Sequence, residues 1–164
     1  VAIEIYNIFK NNTEEEVKFF SLEDLPDDIL HVDMYDSSSQ SKALSKIQDE
    51  YFIPANKLYF VIPEYNGGYP GILKLFIDAC SIRSYKETFH GNKKAALLGI
   101  ASGRAGNLRG LEHFTGVLNY LHITVMPPNQ PISTIERLID ADGKIHDEVT
   151  LNTIEAHVKK FINY

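Results

Sequence analysis

Cysteine is nearly absent from this sequence, and long apolar runs are absent altogether. The 164 residues include one cysteine, Cys80, so the chain cannot form an internal disulfide. This low cysteine usage fits a reducing compartment, and we expect a cytoplasmic protein. No apolar run approaches the roughly 20 residues that a membrane-spanning helix requires, so we expect no membrane partner.

The sequence also lacks an excess of positive charge and any metal-binding motif. The formal net charge is −6, which argues against nucleic acid as a partner, because nucleic-acid-binding domains usually carry a basic face. The six histidines are scattered without the spacing of an HExxH motif, so we predict no metal site. Neither glycine-rich segment matches the GxGxxG fingerprint or the Walker loop, which disfavours a Rossmann dehydrogenase and a P-loop NTPase.

The order of the apolar segments predicts one α/β domain spanning residues 1–164, a length that suits a single domain. Strand-like and helix-like segments alternate, and this alternation implies parallel crossovers and a doubly wound parallel sheet in three layers. We predict helices at 1–9, 43–52, 72–80, 108–121 and 149–161, and strands at 17–22, 58–62, 94–102 and 123–126. Residues 27–42 are acidic and then serine-rich, which predicts an exposed loop, and residues 83–92 are interpreted as a polar connection.

The central segment reads KLYFVIPEYNGGYPGILKLFIDAC. Its apolar run Leu58–Ile62 is bounded by Pro63, which predicts a buried parallel strand. The turn Glu64–Tyr69 contains Asn and Gly, whose backbones reach conformations closed to other residues. Pro70 suits the start of the helix that follows. A strand, a glycine turn and a helix in this order place free backbone N–H groups at the carboxyl edge of a sheet, where ligands bind in open α/β proteins.

A second glycine loop follows the next apolar strand. Residues Lys94–Ser102 predict another buried strand, which leads into Gly103-Arg104-Ala105-Gly106-Asn107 and then into an apolar helical stripe. We expect the two loops to lie side by side at the carboxyl edge, where glycine would let a planar ring approach the backbone closely. For either loop, the alternative is a tight turn that binds nothing.

These segments resemble a known family. PEYNGGYPG, followed by an apolar helix, resembles the flavin-contact loop of the NADPH-dependent FMN reductases, a flavodoxin-like group that includes quinone, chromate and azo-dye reductases. ASGRAGNLRGLEHFTGVLNYLHITVMP resembles a second block of that family, and DADGKIHDEVT resembles its carboxyl-terminal segment. The resemblance implies a flavodoxin-like fold, FMN and NADPH (or NADH) as cofactors, and a small-molecule electron acceptor such as a quinone, azo compound, flavin or metal oxyanion.

The resemblance also implies which residues bind the cofactor. Residues of the first loop would line the isoalloxazine ring, and residues of the second would close its other edge or face the nicotinamide: Pro63, Glu64, Tyr65, Asn66, Gly67, Ser102, Gly103 and Arg104. For Glu64, the alternative is a solvated charge. No side chain is assigned a catalytic role, because the flavin itself carries the redox chemistry.

Family members usually pair through the helices after the two glycine loops. The resemblance therefore implies a homodimer or a homotetramer. We expect Leu75, Phe76 and the helix at 108–121 to supply the apolar surface for this pairing.

The start of the sequence departs from the family pattern. Family members open with a buried strand and a loop rich in Ser, Arg and Asn that holds the FMN phosphate, whereas Val1 here resembles part of the helix after that loop. We therefore predict that the natural protein has a preceding strand and phosphate loop, and that a chain starting at Val1 holds FMN weakly or not at all. The alternative function is a flavodoxin-like binding or interaction module that has lost flavin.

Overall fold

A parallel β-sheet lies at the centre of the computed structural model, which describes residues 1–83, 85–89 and 91–164. Its strands are β1 (Lys57–Pro63), β2 (Lys94–Ile100), β3 (Thr124–Val125) and β4 (Gln130–Ile132). One edge of β2 pairs with β1 along its whole length, and the other edge pairs with β3 near its start and β4 near its end. All these pairings are parallel, so β3 and β4 together form one interrupted strand. The predicted open α/β class is confirmed.

Helices cover the sheet and connect its strands. In chain order they are α1 (Ala2–Asn12), α2 (Lys42–Ile47), α3 (Gly71–Ile82), α4 (Tyr85–Phe89), α5 (Leu108–Tyr120) and α6 (Glu148–Ile162). Shorter turns are π-helical at Gln48–Phe52 and 3₁₀ at Leu22–Asp24, Asp27–Ile29 and Ile135–Arg137. No helix in the described part of the chain is long and apolar enough to cross a membrane.

The alternation of side chains along β2 divides the core between the two faces of the sheet. Ala95 and Leu97 pack with α3 and α5 on one face, whereas Leu98 packs with α1 and α6 on the other. All three side chains are fully buried. Because both faces need apolar residues, the strand shows a continuous apolar run rather than alternation, as expected of a central parallel strand. The three-layer prediction is therefore confirmed.

The face beneath α6 contains one buried histidine. His157 is 5% exposed, and its Nε2 lies 3.3 Å from the carbonyl oxygen of Pro128. A carbonyl only accepts hydrogen bonds, so Nε2 carries the proton and Nδ1 accepts one from the Tyr59 hydroxyl at 2.7 Å. Burial lowers the pKa of His157 and raises the pKa of Tyr59, so both side chains are neutral at physiological pH.

Two lysines at the amino edge of the sheet hold the end of α6. The ammonium of Lys57 donates hydrogen bonds to the carbonyl oxygens of Phe161 at 3.2 Å and Ile162 at 2.7 Å, and the ammonium of Lys94 donates to that of Tyr164. The last carbonyls of a helix lack partners within the helix, and the helix dipole favours cations there. Since Lys57 and Lys94 are paired in register, the first residues of β1 and β2 form one basic clamp.

The predicted strand at 17–22 is wrong. Residues 13–21 contain a bend at 14–15 and join no ladder among the described residues, and a 3₁₀ turn begins at Leu22. The aromatic side chains that suggested a strand have other partners: Phe20 stacks on Tyr51 at 5.2 Å and contacts Phe76 at 5.5 Å between ring centroids. Aromatic residues favour strands because they pack well on a half-buried surface, and here a loop provides that surface.

Three further predictions needed correction. The strand at 58–62 exists, but four of its five residues are only half-buried, because the outer edge of β1 pairs with no strand among the described residues. The connection at 83–92, predicted to be polar, contains the helix α4, in which Thr88 and Phe89 are buried. Ser84 and His90, within that connection, lie outside the described residues. Phe76 belongs to the core at 3% exposure, so it supplies no surface for pairing.

Candidate functional site

The first glycine loop is a tight two-residue turn directly after β1. The backbone of Tyr65 and Gly68 exchange two hydrogen bonds of 2.9 and 3.0 Å. Between them, Asn66 and Gly67 have φ values of 50° and 78°. Two successive positive φ values define a type I′ turn, which Asn-Gly adopts more readily than other pairs. The turn leaves Tyr65 63% exposed beyond the end of β1.

The second glycine loop follows β2 and is tied to the neighbouring strand. The Ala101 N–H donates to the carbonyl of Ile132 at 3.0 Å, and the Thr134 N–H donates to the carbonyl of Gly103 at 3.2 Å. Ser102, Gly103 and Arg104, at and next to these attachments, are exposed. The loop is thus anchored at its base while its tip faces solvent at the carboxyl edge of the sheet.

The two loops lie in contact, as the sequence predicted. The backbone N–H of Glu64 donates to the carbonyl of Ile100 at 2.9 Å, which extends the pairing of β1 and β2 beyond their ends. Asn107 crosses back in the other direction. Its backbone N–H donates to Oε2 of Glu64 at 3.2 Å, and its side-chain Nδ2 donates to the carbonyls of Ile62 and Pro63, both at 3.1 Å.

Glycines allow this close approach of the loops. A Cβ added to Gly110, in the first turn of α5, would lie 2.2 Å from Oδ1 of Asn107 and 2.8 Å from the backbone carbon of Gly68. A Cβ on Gly99 would lie 2.5 Å from the carbonyl oxygen of Gly106. Real Cβ atoms do not occupy such distances, so these positions require glycine for steric reasons.

Other glycines leave the outer surface of the loops bare. A Cβ added to Gly67 or Gly103 would meet nothing within 4 Å. The backbone N–H groups of Asn66, Gly67 and Gly103 donate no hydrogen bond to any residue that the structure describes. A bare backbone with unused donors is what a planar, hydrogen-bonding cofactor ring needs on one side, so the residues present fit the isoalloxazine group of FMN.

The structure separates the eight predicted residues by what their side chains do. Glu64 is not a fully solvated charge, because it is partly buried and its carboxylate accepts a hydrogen bond from the Asn107 N–H. The hydroxyl of Ser102 donates to Oε1 of Glu136 at 2.8 Å, so its side chain is already engaged. The remaining six residues present exposed side chains or bare backbone at the same edge. Their assignment to the cofactor stays a prediction.

Sequence reasoning did not identify the importance of Asn107. It is 1% exposed and adopts a φ of 65° at the N-cap of α5. The available signal was an asparagine just before an apolar helical stripe, the position where Asn is favoured as a cap. The structure shows a different role, because the side chain makes no capping hydrogen bond and bonds the other loop instead.

Tyr69 fixes the end of the first loop against α5. Its ring lies 5.2 Å from that of His113 and 5.1 Å from that of Phe114, between centroids. Burial raises the pKa of Tyr69, so its phenol is neutral at physiological pH. This contact holds the segment between the turn and α3 without adding charge to the edge.

A small surface cavity lies between β4 and α6, on residues outside the two glycine loops. It measures about 180 Å³ and is lined by residues of β4 and α6, among them Gln130, Ile132, Thr150 and Thr153. Sites for drug-sized ligands and cofactors usually occupy roughly 300–1,000 Å³.

The structure has an open parallel α/β sheet with two glycine loops touching at its carboxyl edge, and ligands of open α/β proteins usually bind at that edge. The NADPH-dependent FMN reductase family matches residues 2–136, most of the chain, and the protein therefore belongs to that family. The match confirms the predicted oxidoreductase class with FMN and NAD(P)H as cofactors. It supports an enzyme rather than a binding module without flavin.

Individual relatives agree with this membership. The chain is 33% identical over 129 residues to a 2-hydroxy-1,4-benzoquinone reductase of Burkholderia sp, an alignment that covers 77% of this chain and 69% of the relative. It is 36% identical over 108 residues to an NAD(P)H-dependent FMN reductase of Pseudomonas aeruginosa, covering 64% of this chain and 56% of that one.

Solved structures show the same fold. The flavoenzyme NAD(P)H:(acceptor) oxidoreductase of Paracoccus denitrificans superposes with a TM-score of 0.76, at 22% identity, over 100% of this chain and 88% of that chain. An apo NADH:FMN oxidoreductase superposes with a TM-score of 0.71 at 14% identity, over 97% of this chain and 77% of that chain. The flavodoxin-like prediction is confirmed.

Proposed function

We propose that this protein uses NAD(P)H to reduce a small quinone by way of FMN held at the edge formed by the two glycine loops. The observation that carries the proposal is the contact between those loops, which leaves bare glycine backbone and unused N–H donors side by side. The acceptor class is suggested by the relative named as a benzoquinone reductase. Azo compounds, flavins and metal oxyanions remain competing acceptors.

The residues of the edge would act by position and electrostatics. FMN, when bound, would supply the hydride-transfer and electron-transfer chemistry. Pro63, Tyr65, Asn66 and Gly67 would line the ring, and Ser102, Gly103 and Arg104 would flank its other edge or the nicotinamide. Backbone N–H donors aimed at the ring would stabilise the negative charge that develops there on reduction. Glu64, predicted to line the ring with them, would also hold the two loops together through its hydrogen bond with Asn107.

Pairing of two copies is part of the proposal. Ile72 on α3 and Leu108 on α5 are 37% and 44% exposed, and both follow a glycine loop directly. An apolar surface beside the cofactor edge supports a homodimer whose interface closes the open side of the site. Light scattering at micromolar concentration tests this, since a single species near 18.6 kDa for this chain would contradict it. We also propose a cytoplasmic location, in keeping with the single buried thiol.

The activity is tested by loading the full-length protein with FMN and following NADPH and NADH oxidation with 1,4-benzoquinone, an azo dye and free FMN as acceptors. We expect flavin absorbance to co-purify or be restored by FMN, and the highest kcat/KM with the quinone. Binding of FMN without turnover of any acceptor would contradict the enzymatic proposal. Faster turnover of the azo dye than of the quinone would contradict the acceptor class only.

A further inference from the structure

Asn107 is 1% exposed, and its side chain and backbone join the second glycine loop to the first. The three hydrogen bonds that it donates all go to residues 62–64, which form the end of β1 and the start of the first loop. Two come from the side-chain amide and one from the backbone. The first glycine turn begins at the next residue, Tyr65.

The orientation of the Asn107 amide is fixed by chemistry. The carbonyls of Ile62 and Pro63 accept hydrogen bonds only, so the NH₂ group must face them and Oδ1 must face the opposite way. In that direction Oδ1 lies over Gly110. The Oδ1 atom is fully buried there and has no hydrogen-bond partner among the described residues. Buried oxygen atoms without partners are rare in native proteins. The positive φ of the same residue is also uncommon.

The unpartnered Oδ1 and the positive φ are both unfavourable for Asn107 itself. We interpret them as the cost of the contact that this residue makes with the first loop. We propose that Asn107 and Glu64 are positioning residues for the flavin edge. They set the separation of the two glycine loops. FMN affinity therefore depends on a contact between two protein segments that does not itself involve the flavin. This inference rests on the proposed function, since it assigns the site to FMN.

The decisive variant is Asn107→Gly. Glycine accepts the positive φ and retains the backbone N–H that binds Glu64, so this change removes only the side-chain amide. The matched control is Asn92→Gly, because Asn92 also has a positive φ (58°) but is exposed beside the start of β2, at the opposite edge of the sheet. Both changes replace asparagine by glycine in the same backbone conformation.

We expect Asn107→Gly to raise the Kd for FMN about tenfold or more, the effect of losing a well-formed hydrogen bond or two, and Asn92→Gly to leave that Kd unchanged. Flavin fluorescence quenching, corrected for the folded fraction measured by circular dichroism, gives the Kd. The near-ultraviolet circular dichroism of bound flavin should change in the first variant only. An unchanged Kd and spectrum in Asn107→Gly would overturn the inference.

Variants of Glu64 test the other half of the contact. Glu64→Gln keeps an oxygen that accepts the Asn107 N–H, whereas Glu64→Ala removes it. We expect Glu64→Ala to weaken FMN binding and Glu64→Gln to restore most of the affinity. If Glu64→Gln binds as weakly as Glu64→Ala, the carboxylate acts through its charge and not as a link between the loops, which would overturn this part of the inference.

Hydrogen exchange separates failure of the inference from failure of the proposed function. If the full-length wild-type protein does not bind FMN, the proposed function fails, but the loop contact is still measurable in the same protein. Asn107→Gly should then accelerate exchange at the Tyr65 and Gly68 amides, which are protected by the turn, and Asn92→Gly should not. Equal exchange in both variants and in the wild type would overturn the contact's positioning role.

Discussion

Replacing Gly110 by alanine should destabilise the protein, although the same change usually stabilises a helix. Gly110 lies in the first turn of α5, where alanine is favoured over glycine by up to about 1 kcal/mol. The added Cβ, however, would come within 2.2 Å of Oδ1 and 2.9 Å of Cγ of Asn107, and within 2.8 Å of the Gly68 backbone. All three distances are too short for a Cβ atom, and the Asn107 amide cannot easily move aside because its Nδ2 is held by two hydrogen bonds.

The magnitude follows from these two opposing terms. Overpacking a rigid site costs typically about 1–3 kcal/mol, and three short contacts in one place argue for the upper end of that range. After subtracting the helix-propensity gain, we expect a net loss of about 2 kcal/mol in the free energy of unfolding. For a chain of this size, that corresponds to a fall of about 4–8 °C in Tm. FMN affinity should fall too, because the clash pushes α5 away from the first loop.

The matched control is Gly116→Ala on the same helix. A Cβ there would meet nothing within 4 Å, so only the propensity term acts and Tm should rise by up to about 2–4 °C. Thermal unfolding followed by circular dichroism, with and without FMN, measures both variants. Equal or greater stability of Gly110→Ala relative to Gly116→Ala would refute the steric reasoning about the contact between the loops.

Three other predictions use groups away from that contact. Burial lowers the pKa of His157 from its ordinary value near 6.5, so the neutral side chain contributes its full stability above that value and loses it as the pH falls towards the folded-state pKa. The urea midpoint of unfolding should therefore drop between pH 7.5 and 5.5, and His157→Gln should make this drop smaller. Equal midpoints at the two pH values in the wild type would contradict this. Burial raises the pKa of the Cys80 thiol, so Ellman's reagent should react only as fast as the protein unfolds; rapid stoichiometric labelling in native buffer would show the thiol to be accessible. Arg104 is an exposed residue of the second loop and forms no ion pair among the described residues, so Arg104→Ala should raise the KM for NADPH severalfold with little change in kcat. An unaltered KM would exclude Arg104 from cofactor binding.

The elements that sequence predicted best are those whose signals are local. The helix after Pro70 and the helix from Leu108 have apolar residues at helical spacing, and both occur where expected. The turn after β1 was predicted because Asn and Gly reach backbone conformations closed to other residues, and Asn66 and Gly67 do adopt positive φ there. In each case, the residues that determine the conformation lie within the segment itself.

The features that sequence missed depend on distant partners. Glu64 and Asn107 are 43 residues apart, and their hydrogen bond exists only because the register of β1 against β2 brings Glu64 to the level of Ile100. The residues next to Glu64 and Asn107 in the sequence do not indicate that register. The error at 17–22 has the same origin, because Phe20 contacts Tyr51 and Phe76, and those contacts satisfy its apolar surface without a neighbouring strand.

The basic clamp at the amino edge of the sheet has a consequence for the order of folding. Lys57 binds the last two carbonyls of α6 across separations of 104 and 105 residues, and Lys94 binds Tyr164, just beyond that helix, across 70 residues; these are among the longest-range hydrogen bonds of the described residues. The clamp exists only after β1 and β2 have paired, since the two lysines come from different strands. We therefore expect α6 to dock late, after the transition state for pairing of these strands. Contacts of such large sequence separation close slowly, and removing either lysine should speed unfolding while leaving the refolding rate nearly unchanged.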